Sequence, residues 1–236
     1  VPNPGYPAYG TAVELAEAEP VLYSLKEENN WLPDFEALNK MNLKDVKLMW
    51  VNYPNMPTGK TAEKSLFENL FAFGRKHNIL ICHDNPYSFI LNNNNPLSIL
   101  SVEGAKETAL ELNSLSKTYN MAGWRVGMLA GNANVINDVL KFKSNMDSGM
   151  FQPIQLAAAE ALQTPFSWNL SQNEIYLKRR KKAEQLLAAG KLKTTTIQGM
   201  RVIAIADAVA NGILEAVAKN KNIAVNLDAA EEFTID

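Results

Sequence analysis

The sequence predicts an α/β fold, a mostly parallel sheet with helices on both faces. Short β-rich apolar runs alternate with amphipathic stretches of helical spacing, and that alternation implies crossover connections between parallel strands. The 236 residues also suffice for a substantial core in one or two domains.

Residues 46–53 (VKLMWVNY) and 78–83 (NILICH) read as buried strands. Between them, residues 61–77 place Leu66, Leu70, Phe71 and Phe73 at helical spacing, with Thr61 as the expected N-cap. Residues 108–112 and 124–130 read as further strands, and 134–143, 153–162 and 171–189 as helices. Residues 199–206 form a short alternating strand ahead of a helix over 208–219. The Asn92–Asn95 run before Pro96 reads as an exposed polar loop.

Composition excludes several functions. A net charge of -2 gives no electrostatic case for nucleic acid or an anionic membrane. No apolar run has the length to span a bilayer, and no signal peptide opens the chain. The single Cys82 rules out an internal disulfide, fits a reducing compartment and, within an apolar run, reads as a buried structural thiol. The basic run 178–182 reads as a solvated helix face. No zinc-like ligand spacing, P-loop or Gly-x-Ser-x-Gly is present.

The chemistry-bearing stretch is residues 114–127, SLSKTYNMAGWRVG, with Lys117 and Arg125 eight residues apart between two strand-like runs. This segment resembles the cofactor-lysine motif of class I/II aminotransferases, the fold type I pyridoxal 5'-phosphate enzymes. The resemblance implies a three-layer large domain over residues 1–190 and an incomplete small α+β domain over 191–236. It implies transamination between an L-amino acid and a 2-oxo acid by a ping-pong cycle. A cytoplasmic homodimer that binds neither nucleic acid nor membrane is the expected setting.

The cofactor's chemistry asks for specific groups. Its aldehyde needs an amine, its phosphate needs donors and positive charge, and its ring nitrogen needs a carboxylate. The resemblance implies that Lys117 forms the imine and then shuttles the proton, while Arg125, Ser114 and Ser116 hold the phosphate. Asp84 and Tyr87, in the context HDNPYS, match the family's Asp-x-x-Tyr, which serves the ring nitrogen and O3'. Residues 1–9 (VPNPGYPAY) resemble the family's Pro-Gly-Tyr-Pro-x-Tyr loop, whose first tyrosine, Tyr6, stacks on the ring. Arg201 matches the arginine that grips the substrate carboxylate.

One position departs from the pattern. The family's Asn-Pro-Thr-Gly loop binds O3' through the asparagine before the proline, and Met56 stands there, with Asn55 one residue earlier. Either Asn55 reaches the ring through a shifted loop, or Tyr87 bears the contact alone. The chain begins at Val1, inside a functional loop. The family's N-terminal arm and most of its small domain have no counterpart here, so a fragment or a sequence short of its beginning is expected. Other readings of the same residues are a different cofactor reaction, such as a C–S lyase or a decarboxylase, and a truncated non-catalytic dimerisation module.

Overall fold

The computed structural model describes residues 1–92, 96–188, 193–197 and 200–204, and side chains within 1–185. The expected helix over 208–219 lies outside the described residues, as do most of the asparagine run and the polar stretch over 190–198 apart from 193–197. Two compact units divide at Ile175 and Tyr176.

The first unit, Val1–Ile175, is built on a four-stranded sheet whose strands lie side by side in chain order. β3 (Leu48–Asn52), β4 (Leu80–Asp84) and β5 (Ala109–Ser114) run parallel, and β6 (Gly127–Gly131) is antiparallel to β5. A separate parallel pair joins β1 (Pro2–Asn3) to β2 (Tyr23–Ser24), with α1 (Ala8–Leu15) between them and α2 (Phe35–Asn39) after. Sheet and helices thus follow the predicted alternation.

α3 (Lys64–His77) is the crossover from β3 to β4. Its Leu66, Phe67, Leu70, Phe71, Phe73 and Gly74 are buried, one helical face laid on the sheet against Val51 and Ile81. Arg75, Lys76 and His77 occupy its last turn, where cations favour the helix dipole, and Asn78 ends it in the left-handed conformation. Thr61 is not the cap. Glu63 holds that position without a side-chain bond, and the Lys60 carbonyl accepts from the Asn55 amide in the loop before it.

From β4 the chain passes through the short α4 (Ala105–Thr108) into β5, so Thr108 ends a helix rather than opening a strand. The single turn α5 (Leu115–Thr118) then carries Lys117. The next strand starts later than predicted, since a 3-10 turn over Ala122–Trp124 and a left-handed Arg125 (φ 54°) interrupt the run. α6 (Ala133–Asp147) is capped by Asn132, whose Oδ1 accepts from the amides of Asn134 and Val135. It buries none of its residues, and Leu140, Phe142 and Met146 are exposed. α7 (Gln152–Leu162) and the first part of α8 (Phe166–Ala188) complete this unit. Cys82 is buried in β4, as expected, and desolvation raises its thiol pKa to about 12.

In the second unit, Tyr176–Asp236, the end of α8 is followed by an antiparallel hairpin, β7 (Lys193–Ile197) and β8 (Met200–Ala204). No helix among the described residues is long and apolar enough to cross a membrane.

Candidate active site

The carboxyl ends of β3, β4 and β5 lie side by side and close on Asn52, Asp84 and Ser114. This is the end of an open parallel sheet where ligand groups gather. Because β6 is antiparallel, its first residue, Gly127, pairs with Ser114, which brings Arg125 to the same end. A Cβ on Gly127 would stand 2.9 Å from the Asn113 carbonyl oxygen, so strand contact demands a glycine there.

A continuous line of contacts connects these strand ends. Tyr9 donates its hydroxyl to Asp84 Oδ2 at 2.6 Å. Asn52 Nδ2 donates to the Asp84 carbonyl at 2.9 Å, and Asn52 Oδ1 accepts from the Met56 amide at 2.7 Å. Tyr87 Oη donates to Met56 Sδ at 3.6 Å, and Lys117 Nζ lies 6.0 Å from the centroid of the Tyr87 ring. Tyr6 meets Tyr9 edge-on with centroids 5.7 Å apart, and Tyr9 stacks on Trp50 at 4.9 Å. Six of these residues therefore form one chain: Lys117, Tyr87, Met56, Asn52, Asp84 and Tyr9.

Burial holds the Asp84 carboxyl above its ordinary value, and the Tyr9 hydrogen bond and the His83 charge oppose that shift. Burial likewise raises the phenols of Tyr9 and Tyr87, with the Asp84 charge adding to it, so both remain donors. Beneath the site, His83 is fully buried, with Nδ1 3.2 Å from Glu111 Oε2 and Nε2 2.9 Å from the Tyr53 carbonyl oxygen.

The other predicted residues fall as follows. Tyr6 is 47% exposed, a ring open to a flat partner. Asn55 is buried, and its Oδ1 accepts from the Thr58 hydroxyl at 2.8 Å. Its Nδ2 has no partner among the described residues and no exposed surface, so the turn holds the amide by its oxygen alone and leaves the donor unpaired. Ser114 Oγ accepts from the Ser116 amide and caps α5, which leaves the hydroxyl proton for another acceptor. Lys117 and Arg125 are exposed and form no ion pair among the described residues; the guanidinium donates only to the Ala122 carbonyl, at 2.9 Å. Arg201 lies on β8, whose side chains are outside the described residues.

Sequence reasoning passed over Tyr9 and Asn52. Tyr9 was visible as the last residue of the loop motif, but its partner is 75 positions away. Asn52 reads as an ordinary strand residue until the register sets it opposite Asp84. A separate groove of about 520 Å³ lies between β2 and β3, lined by apolar side chains such as Val21, Leu48 and Met49, and brings no comparable set of reactive groups together.

Residues 1–226 match the family model of aminotransferase class I and II. The chain belongs to the class I and II aminotransferases. It is 46% identical over 191 residues to an LL-diaminopimelate aminotransferase of Dehalococcoides mccartyi, covering 79% of this chain and 48% of that protein. It is 47% identical over 181 residues to the LL-diaminopimelate aminotransferase of Halothermothrix orenii, covering 76% and 46%. An aminotransferase structure from Staphylococcus aureus superposes with a TM-score of 0.76 at 34% identity, covering 86% of this chain and 54% of that one. The chain spans about half the length of the curated relatives it matches.

Aminotransferases of this family use pyridoxal 5'-phosphate. The residues present fit that group. Asp84 is a half-buried carboxylate whose charge a protonated ring nitrogen would offset. An amine with no ion pair among the described residues, and a guanidinium held by one backbone carbonyl, stand at the same end of the sheet as two serine hydroxyls. With Met56 in place of the asparagine, the donors beside that position are the Tyr87 phenol, which meets Met56 Sδ, and the unpaired Asn55 Nδ2.

Proposed function

We propose that the chain carries the cofactor-binding part of a pyridoxal 5'-phosphate-dependent aminotransferase that moves an amino group between an L-amino acid and a 2-oxo acid. The observation that carries this reading is the unbroken contact line from Lys117 to Asp84 at the ends of the parallel strands.

Each residue then has a task. Lys117 Nζ takes the proton from the substrate Cα and returns it one position further along. Asp84, ionised, holds a proton at the ring nitrogen, and Tyr9 orients its carboxylate through the 2.6 Å bond. Arg125 binds phosphate through charge-assisted hydrogen bonds, joined by the hydroxyls of Ser114 and Ser116. Tyr6 covers one face of the ring and Tyr87 donates to O3'. Arg201 grips the substrate carboxylate as a fork. The bound cofactor itself supplies an aldehyde and an electron-accepting ring that lets a proton leave Cα.

The relatives named as LL-diaminopimelate aminotransferases support that diamino acid as the amino donor. A homodimer in the cytoplasm rests on the family resemblance.

The test is a titration of the chain with pyridoxal 5'-phosphate, followed by visible absorbance, beside the Lys117→Ala variant. Wild type should develop a protein-bound band that the variant lacks, and LL-diaminopimelate should discharge it faster than other amino acids do. An identical band in the variant would sink the assignment.

A further inference from the structure

We infer that His83 is a positioning residue for Asp84: a doubly protonated imidazolium, locked between Glu111 and the Tyr53 carbonyl, that keeps Asp84 ionised and ties down the loop bearing Met56. The role toward Asp84 rests on the proposed function; the charge on His83 does not.

The hydrogen-bond inventory carries the inference. A neutral imidazole has one donor and one acceptor nitrogen, whereas an imidazolium has two donors. His83 meets acceptors at both ends, a backbone carbonyl oxygen at 2.9 Å and a carboxylate oxygen at 3.2 Å. Shifting the proton to Glu111 does not resolve this, because Glu111 Oε2 already accepts from Ser98 Oγ at 2.9 Å and from the Ile99 amide at 2.9 Å. An oxygen accepting both is the ionised form, and these bonds with the His83 partner outweigh the burial that raises Glu111, leaving its carboxyl below the usual value. With no exposed surface, the His83 ring has no water to supply a missing partner.

The groups around His83 come from every neighbouring element. Glu111 stands directly opposite on β5, the Tyr53 carbonyl follows β3, Phe67 of α3 lies with ring centroids 5.0 Å away, and Asp84 is next in β4. Among these the side chains that can carry charge are Glu111 and Asp84. The Tyr53 carbonyl immediately precedes the Pro54–Pro57 turn, so the same imidazolium anchors the loop whose Met56 contacts Tyr87. His83 touches none of the reacting atoms; it acts through Asp84 and this loop.

The experiment is NMR on the cofactor-free chain, with 15N-labelled histidine and 13C-labelled aspartate. Both His83 ring nitrogens should show attached protons in the folded chain, while His77 serves as the internal reference. A His83 ring with one bare nitrogen at neutral pH overturns the inference. The role toward Asp84 is read from the carboxyl titration in His83→Gln and in His83→Gln/Glu111→Gln, where two amides can pair without charge. The Asp84 midpoint should rise by roughly half a pH unit or more in both variants, even where the double variant recovers the melting temperature. A midpoint that returns to the wild-type value in the refolded double variant shows a purely structural role and refutes the proposal. Failure of the wild-type chain to take up pyridoxal 5'-phosphate would refute the proposed function instead, and would leave the protonation state of His83 as the NMR spectra give it.

Discussion

The Tyr9 hydroxyl donates to Asp84 Oδ2 across 2.6 Å, joining the helix after the first loop to the end of β4, 75 residues later. The bond gives a half-buried carboxylate a strong donor and, through the Tyr9–Trp50 stack, fixes it to the edge strand.

Removing that donor should be measurable both in stability and in cofactor retention. Tyr9→Phe keeps the stack and deletes the hydroxyl, at an expected cost of about 1–3 kcal/mol for a hydrogen bond to a charged group. The Asp84 carboxyl should also titrate at higher pH, since the Tyr9 bond pulls it down. Urea denaturation gives the first quantity and the pH dependence of pyridoxal 5'-phosphate binding the second.

The two carboxylates of this region should respond to acid in opposite senses. Glu111 is held below its ordinary value in the folded chain, so its stabilisation is present above the unfolded value of 4.5 and is lost as pH falls through the lower folded value. Asp84 is held above its ordinary 3.8, so ionising it costs folding free energy that is relieved as pH falls through the folded value. Asp84→Asn should therefore stabilise the chain at neutral pH while weakening cofactor binding. Glu111→Gln should destabilise it by about 3 kcal/mol, the scale of a broken buried pair, and flatten the acid limb. Melting temperatures from pH 3 to pH 7 would show both.

Met56 offers a gain-of-binding test. Met56→Asn restores the family's residue beside Tyr87, and one added hydrogen bond of about 1.4 kcal/mol predicts roughly tenfold tighter cofactor binding. Tyr87→Phe should then be more damaging in the wild type than in Met56→Asn. Fluorescence titration of all four proteins is the measurement.

Asn173 should prove structural. From α8 it accepts from the Leu91 amide at 2.7 Å and donates to the Phe89 and Asn92 carbonyls at 2.9 and 3.0 Å, clamping the segment after Tyr87. Asn173→Ala leaves these backbone groups without that partner and should cost at least about 2 kcal/mol. The loss should be larger in thermal stability than in the affinity of cofactor for the folded chain.

The sequence made the sheet and its reactive corner readable for a physical reason: apolar runs and the spacing of Lys117, Arg125, Asp84 and Tyr87 are local signals. What it hid was pairing across distance. His83 and Glu111 are 28 residues apart and become neighbours only through the β4–β5 register. Tyr9 gains a role only when the first loop meets the end of β4. Thr61 does not cap the helix, which starts at Lys64 after a loop closed by a bond from the Asn55 amide to the Lys60 carbonyl, a pairing invisible in the sequence. Asn55 matches the shifted motif by position, and the sequence could not show that its Oδ1 would be held by Thr58 while its Nδ2 stays unpaired.

The central claim is that Lys117 carries the cofactor. Loading the chain with pyridoxal 5'-phosphate, reducing it with borohydride and mapping the peptides by mass spectrometry tests this most directly. One pyridoxyl group per chain is expected, on the peptide containing Lys117, and none in Lys117→Ala. A label fixed at another lysine, or none retained by the wild type, would contradict it.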